Sequence, residues 1–179
     1  MLRLCLVLLL LAQPAARGEE VVLGLSRDEV AITATFEGSQ ILVFGAVKRE
    51  VPIPDGPPLE VAVAVSGPSK PVTVRRKERV FGIWINTDSV VVDAAPSFYA
   101  VATSGPFDEV LSNVEDLRHR VSIERAIRSV GAAQDVSAPQ KFVEAVMRIR
   151  ERAGLYKTLE NGVFVDEQTL FRTAIDMPA

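Results

Sequence analysis

The feature that most restricts the fold is punctuation. Between residues 21 and 103 short apolar runs recur at spacings near ten residues, and residues that favour turns separate them. Residues 21–25 form one run, ended by Ser26, Arg27 and Asp28. In 30–36, Val30, Ile32, Ala34 and Phe36 alternate with Ala31, Thr33 and Thr35, the period of a half-buried strand. A turn at 37–40 then makes 41–47 the antiparallel neighbour of 30–36. Four prolines and Gly56 in 51–58 mark a connecting loop, because proline cannot donate to a sheet ladder. Leu59, Val61, Val63 and Val65 open a further strand.

Residues 72–99 look like the centre of this sheet. They hold the only tryptophan, Trp84, and the densest basic cluster, Arg75, Arg76, Lys77 and Arg79. Strands are expected at 72–74, 80–85 and 89–93, with the charged run as an exposed strand end or turn and 86–88 as a second turn. Trp84 and Phe81 are expected in the core or along one side of a sheet. After Pro96, residues 98–103 form another strand.

At Gly105-Pro106 the pattern changes to helical spacing. Helices are expected over 108–117 and 122–130, with Ser122 as N-cap, Glu124 in the first turn and Gly131 as terminator. After Pro139 a stronger amphipathic helix carries Phe142, Val146, Ile149 and Ala153 on one stripe and stops at Gly154. Leu155 and Tyr156 should turn back into the core, and 162–164 and 169–175 return to strand composition. The chain closes on Asp176, Met177, Pro178 and Ala179 after a strand with no partner following it. The expected fold is therefore mainly β with a helical insertion (α+β): an immunoglobulin-like antiparallel β-sandwich lacking its last strand, with helices at about 107–153 before the final strands.

Residues 1–18 have the layout of a secretory signal peptide: Arg3, an unbroken apolar run at 4–11, and a small-x-small pattern at Ala16-Arg17-Gly18. That run is too short to span a bilayer core, which takes roughly 20 apolar residues. Residues 19–179 would then form a single β-rich domain of adequate size for its own core. The one cysteine, Cys5, falls inside the leader, so the mature chain has no thiol for disulfides, catalysis or metal ligation. Removing Arg3 and Arg17 leaves 18 basic against 23 acidic residues, a formal charge of −5, which argues against nucleic acid as a partner.

No catalytic constellation emerges. The single histidine, His119, sits between Arg118 and Arg120, where positive charge opposes a cation, so it reads as a surface or capping residue. With one histidine and no mature cysteine, the usual zinc ligand sets are excluded, and no metal or other cofactor is expected. No Gly-x-Ser-x-Gly is present, and a serine triad would have to recruit His119, which leaves a hydrolase as the weakest alternative. The candidate binding residues are Arg75, Arg76, Lys77 and Arg79. Their forked or pointed cations suit lipid headgroups or a small oxyanion. The bland reading is a solvated hairpin tip that protects a sheet edge.

Several segments in order resemble Alph_Pro_TM, an alphaproteobacterial transmembrane protein family. They include Gly24-Leu25-Ser26, Phe36-Glu37-Gly38, Phe44-Gly45-Ala46, Ser66-Gly67-Pro68, Arg75-Arg76-Lys77, Gly82-Ile83-Trp84-Ile85-Asn86 and Pro96-Ser97-Phe98-Tyr99. Gly154-Leu155-Tyr156, Thr169-Leu170-Phe171-Arg172 and Met177-Pro178-Ala179 follow. The resemblance implies a secreted β-rich domain followed by a further strand and one C-terminal membrane helix, and it brings no catalytic residues. It also implies an accessory role at the periplasmic face of the inner membrane, with a permease or other membrane protein as partner; the leader, the strand spacing and the lack of a catalytic constellation make a non-enzymatic accessory or interaction module the expected function. The chain stops where relatives continue. A truncated sequence and a soluble periplasmic variant are both compatible with that. The alternative function is binding of a sulfite- or sulfate-like oxyanion for a neighbouring transporter.

Overall fold

The computed structural model describes residues 19–26, 39–49, 52–53, 56–129 and 140–178. The leader, the expected strand at 30–36 and Gly131 lie outside the described residues, and the helix expected over 122–130 ends at Ala126, short of Gly131. Nine strands are described: β1 (Glu20–Leu25), β2 (Ser39–Lys48), β3 (Ala62–Ser66), β4 (Ser69–Val80), β5 (Ile83–Pro96), β6 (Tyr99–Thr103), β7 (Tyr156–Leu159), β8 (Val163–Asp166) and β9 (Leu170–Met177). Four helices fall between β6 and β7: α1 (Phe107–Val110), α2 (Asn113–His119), α3 (Ile123–Ala126) and α4 (Gln140–Arg152). The fold is mainly β, as the turn spacing implies.

The strands form a four-stranded antiparallel sheet in the order β1-β2-β9-β8, a three-stranded sheet β3-β6-β7, and the pair β4-β5. The first two sheets share apolar clusters. Val47, Val163 and Phe171 from one meet Ala102 from the other, and Ile175 meets Phe98 and Ala100. Ser39 and Gln40 belong to β2 and not to a turn. β2 is flanked by β1 and β9. The closing strand β9 is likewise paired on both sides, by β2 and β8, so it is not the partnerless strand its position at the chain end suggests. β6 and β7 run parallel, a departure from the all-antiparallel expectation. The helical segment between them supplies the long crossover that parallel pairing requires.

The largest correction concerns residues 69–96. Two long strands replace the three short ones expected, and the charged run is strand, not turn. The reversal sits at Phe81-Gly82, between the paired residues Val80 and Ile83. Both turn residues have positive φ, 49° and 84°, as a two-residue hairpin turn of right-handed twist demands. Ala62↔Thr103, Ser66↔Tyr99 and Ser69↔Pro96 all keep one register. Gly67 N–H donates to the Phe98 carbonyl at 2.9 Å and Ser97 N–H to that of Pro68 at 3.0 Å, which carries the ladder across the break. A Cβ on Gly67 would lie 2.5 Å from Ser97 Oγ and 3.2 Å from Phe98 N, so a larger residue here would require Ser97 to turn away and the neighbouring backbone to give slightly. β3–β4 and β5–β6 are therefore one continuous ribbon.

The helices clamp the root of that ribbon. Val92, Ala95, Tyr99 and Val101 share a core with Ile127, Val146 and Tyr156. The Tyr156 hydroxyl donates to the Pro96 carbonyl at 2.8 Å, and the Tyr99 hydroxyl to that of Val121 at 2.9 Å. Arg150 donates to the Ser97 carbonyl at 2.8 Å and lies over the Tyr156 ring. Ala94 and Arg128 exchange backbone hydrogen bonds. Of the expected α4 stripe only Phe142 and Val146 are buried; Ile149 is 59% exposed because it lies beside the open part of the ribbon.

Asp116 organises the α2–α3 corner. The expected single helix over 108–117 breaks at Leu111, and Ser112 caps α2 by accepting from Glu115 N–H. The buried Asp116 carboxylate then accepts from the N–H groups of Val121 (3.0 Å) and Ser122 (2.7 Å) and from Arg125 Nε (2.7 Å). Burial alone would raise its pKa, but these donors together hold it below the ordinary carboxylate value. Its stabilising contribution is therefore complete above the unfolded carboxylate pKa and is lost as pH falls through and below that range. Asp116→Ala should cost about 3 kcal/mol at neutral pH, since it strands buried donors and Arg125. In urea titrations the gap between wild type and Asp116→Asn should shrink between neutral pH and the acid limb. A gap independent of pH would contradict this assignment.

Candidate functional site

Beyond the pair Val74↔Val90 the ribbon leaves the rest of the molecule. From Arg75 to Ser89 every residue is exposed except Asp88, which is half-buried. At about 3.4 Å per residue this free part reaches roughly 20 Å. The four sequence-nominated residues lie along it, one to five pairs back from the tip pair Val80↔Ile83.

The period of a strand sorts them. Arg75, Lys77 and Arg79 share one face with their cross-strand partners Ser89, Asn86 and Trp84. Arg76 lies on the opposite face with Glu78, Val80 and the partners Asp88, Ile85 and Ile83. An irregularity between Arg76 and Lys77, with Thr87 as the extra residue on β5, keeps this sorting intact up to the tip. Arg76 is neutralised by Asp88 directly opposite and by Glu78 at 3.1 Å. Among the described residues, Arg75, Lys77 and Arg79 make no ion pair. The structure thus separates one paired arginine from three free cations, a distinction the run Arg-Arg-Lys-Glu-Arg does not reveal by itself.

Of the two positions expected for Trp84 and Phe81, the core is overturned, whereas Trp84 does lie along one side of the β4-β5 pair. Phe81 is 100% exposed and Trp84 66%, and Val80, Ile83 and Ile85 are also exposed. Gly82 serves the turn and not packing, since a Cβ there would meet nothing within 4 Å. A large apolar side chain in a strand is normally buried. Among the described residues no third strand or second layer reaches the tip. The signal that sequence reasoning passed over is the cluster itself: five large apolar residues in the six positions from 80 to 85, with four cations just before them.

A cleft of about 470 Å³ lies between the base of this ribbon and α4. Arg75, Arg76 and Lys77 line one wall; Lys141 and Arg148 come from α4, with Glu144 between them. Lys141 and Arg148 are contributors that sequence reasoning did not nominate, because sixty residues separate them from the ribbon's basic run. His119 lies elsewhere, 61% exposed on α2, with Nε2 at 3.2 Å from Glu115 in an i, i+4 pair.

A family described as "Putative transmembrane protein (Alph_Pro_TM)" matches residues 20–179. The chain belongs to that family. No curated protein and no solved structure matches the chain. The Alph_Pro_TM match spans both long sheets, the helical segment and the whole ribbon, so the projecting arm lies inside the family's own region. Among the described residues no helix is long and apolar enough to cross a membrane.

Proposed function

We propose that this chain is a non-enzymatic periplasmic domain that acts as a membrane-associated accessory or interaction module, with a permease or other inner-membrane protein as its partner. The observation that carries this reading is the projecting ribbon. Its root is locked into a tyrosine-lined core, while its outer part offers free cations and uncovered aromatic side chains that stability alone does not require. The leader-like residues 1–18 and membership of a transmembrane protein family support an envelope location. In fractionated cells the chain should sit with the periplasm or inner membrane and be degraded by protease added to spheroplasts. A protease-protected cytoplasmic pool would contradict the reading.

The cleft beside α4 favours a second reading, binding of a small oxyanion. Arg75, Lys77, Lys141 and Arg148 line it against a single carboxylate, that of Glu144, because Arg76 is already neutralised. Calorimetry with sulfite and sulfate should give binding heat that disappears in an Arg75→Ala/Arg76→Ala variant. No heat at millimolar ligand would remove this reading and leave the first intact.

A further inference from the structure

The ribbon tip carries apolar side chains on both faces and at its apex, with Arg79 Nε donating to the Gly82 carbonyl at 3.4 Å. Trp84 projects on the face it shares with Arg79, whereas Val80, Ile83 and Ile85 project on the opposite face, and Phe81 occupies the apex fully exposed. A protein partner with one complementary surface would ask for one apolar face. A tip with apolar side chains on both faces and at its apex suits a medium that can enclose it.

The charges behind the tip have the sign and order such a medium would select. Arg79 pairs with Trp84 one pair behind Val80↔Ile83, and Lys77 and Arg75 follow on the same face with no acidic partner among the described residues. Residues 19–179 as a whole carry a formal charge of −5, so a general attraction to anionic surfaces is not available. Any attraction must come from this concentrated cluster, acting within a screening length of about 8 Å.

We propose that the ribbon tip, led by Phe81, Ile83 and Trp84, inserts into the interface of an anionic lipid bilayer while Arg79, Lys77 and Arg75 engage its phosphate headgroups. This deepens the membrane-associated reading above by assigning a lipid contact to a site within the domain itself. Insertion is shallow. A two-stranded ribbon has two unpaired backbone edges, and unpaired peptide groups are excluded from the hydrocarbon interior. Glu78, opposite Ile85, marks the level at which a carboxylate would have to leave water. A depth of about 5–10 Å, the headgroup–acyl boundary, holds the turn and its first pairs and stops short of that residue. Aromatic side chains, tryptophan above all, settle at this level, and arginine and lysine meet the phosphates around it.

Trp84 is the only tryptophan in the chain, so its fluorescence reports on the tip alone. The chain, expressed from Met1 and purified, is mixed with vesicles of phosphatidylcholine alone or of phosphatidylcholine and phosphatidylglycerol at three to one. With the anionic vesicles, Trp84 emission should shift to the blue and be quenched by lipids brominated near the headgroup. Phe81→Asp, at a position that packs against nothing, should lower vesicle affinity at least about tenfold without loss of folding. Replacing Arg75, Lys77 and Arg79 by alanine should lower it about fivefold for each charge removed, and the loss should be reproduced by added salt.

Both variants retain residues 1–18, so affinity contributed by that segment cancels in the comparison. Unchanged Trp84 emission with anionic vesicles overturns the proposal. So does binding that Phe81→Asp leaves intact, and so does a blue shift that appears without vesicles as protein concentration rises, which would assign the tip to a second copy of the chain. Vesicle binding can fail while the chain still fractionates with membranes, which leaves the accessory reading standing without the lipid contact. A cytoplasmic chain that binds vesicles would do the reverse.

Discussion

A single backbone ladder, running from Ala62↔Thr103 to Val80↔Ile83, is the constraint on which the rest of the structure depends. A two-stranded ribbon by itself is marginal in water, because it has no face to bury and two open edges. This one persists because its lower half is built into two other structures. At the base it forms two strands of the β3-β6-β7 sheet. Above that, Val72, Val74 and Val92 pack against the helical segment, and Tyr99 and Tyr156 meet edge to face with centroids 6.5 Å apart. Both hydroxyls donate to backbone carbonyls of the root or of the helical corner, and burial pushes their pKa values above the ordinary phenol value. The helices are therefore the clamp that allows a ribbon to stand clear of the molecule.

What stands clear is patterned. The face carrying Arg75, Lys77 and Arg79 is positive, and the opposite face neutralises its arginine with two carboxylates. The same alternation places Trp84 with the cations and Ile83 with Val80 at the far end. One strand period thus produces a charge polarity across the arm, and the far end of both faces carries the apolar cap. The cleft against α4 is a consequence of the same geometry, since it forms where the ribbon leaves the helix surface.

Much of the frame was legible in the residues. β1, β2 and β6 lie close to runs 21–25, 41–47 and 98–103, and Gly154, at φ 68°, follows the end of α4 as expected. The arm was not legible, for reasons that can be named. Phe81-Gly82 lacks the Asn-Gly or Asp-Gly signature of a tight turn, and the polar residues point instead to turns at Asn86-Thr87-Asp88 and in the charged run, which are both strand, the former bulged. A charged run resembles a turn only while strands are assumed to have a buried face. Trp84 resembles a core residue only while a second layer is assumed to lie over it. Arg75, Arg76, Lys77 and Arg79 could be nominated from their density. That Arg76 is neutralised, and that Lys141 and Arg148 join the others, depends on contacts between distant parts of the chain.

The central claim is that protection ends where the root ends. Amide hydrogen exchange followed by mass spectrometry, on the chain free of lipid, tests it directly. Peptides from residues 90–103 should exchange only with global unfolding, whereas those from 75–89 should exchange far faster, with the step at the Val74↔Val90 pair. Uniform protection along the whole ribbon would show that another surface covers the tip in solution, and would contradict the account.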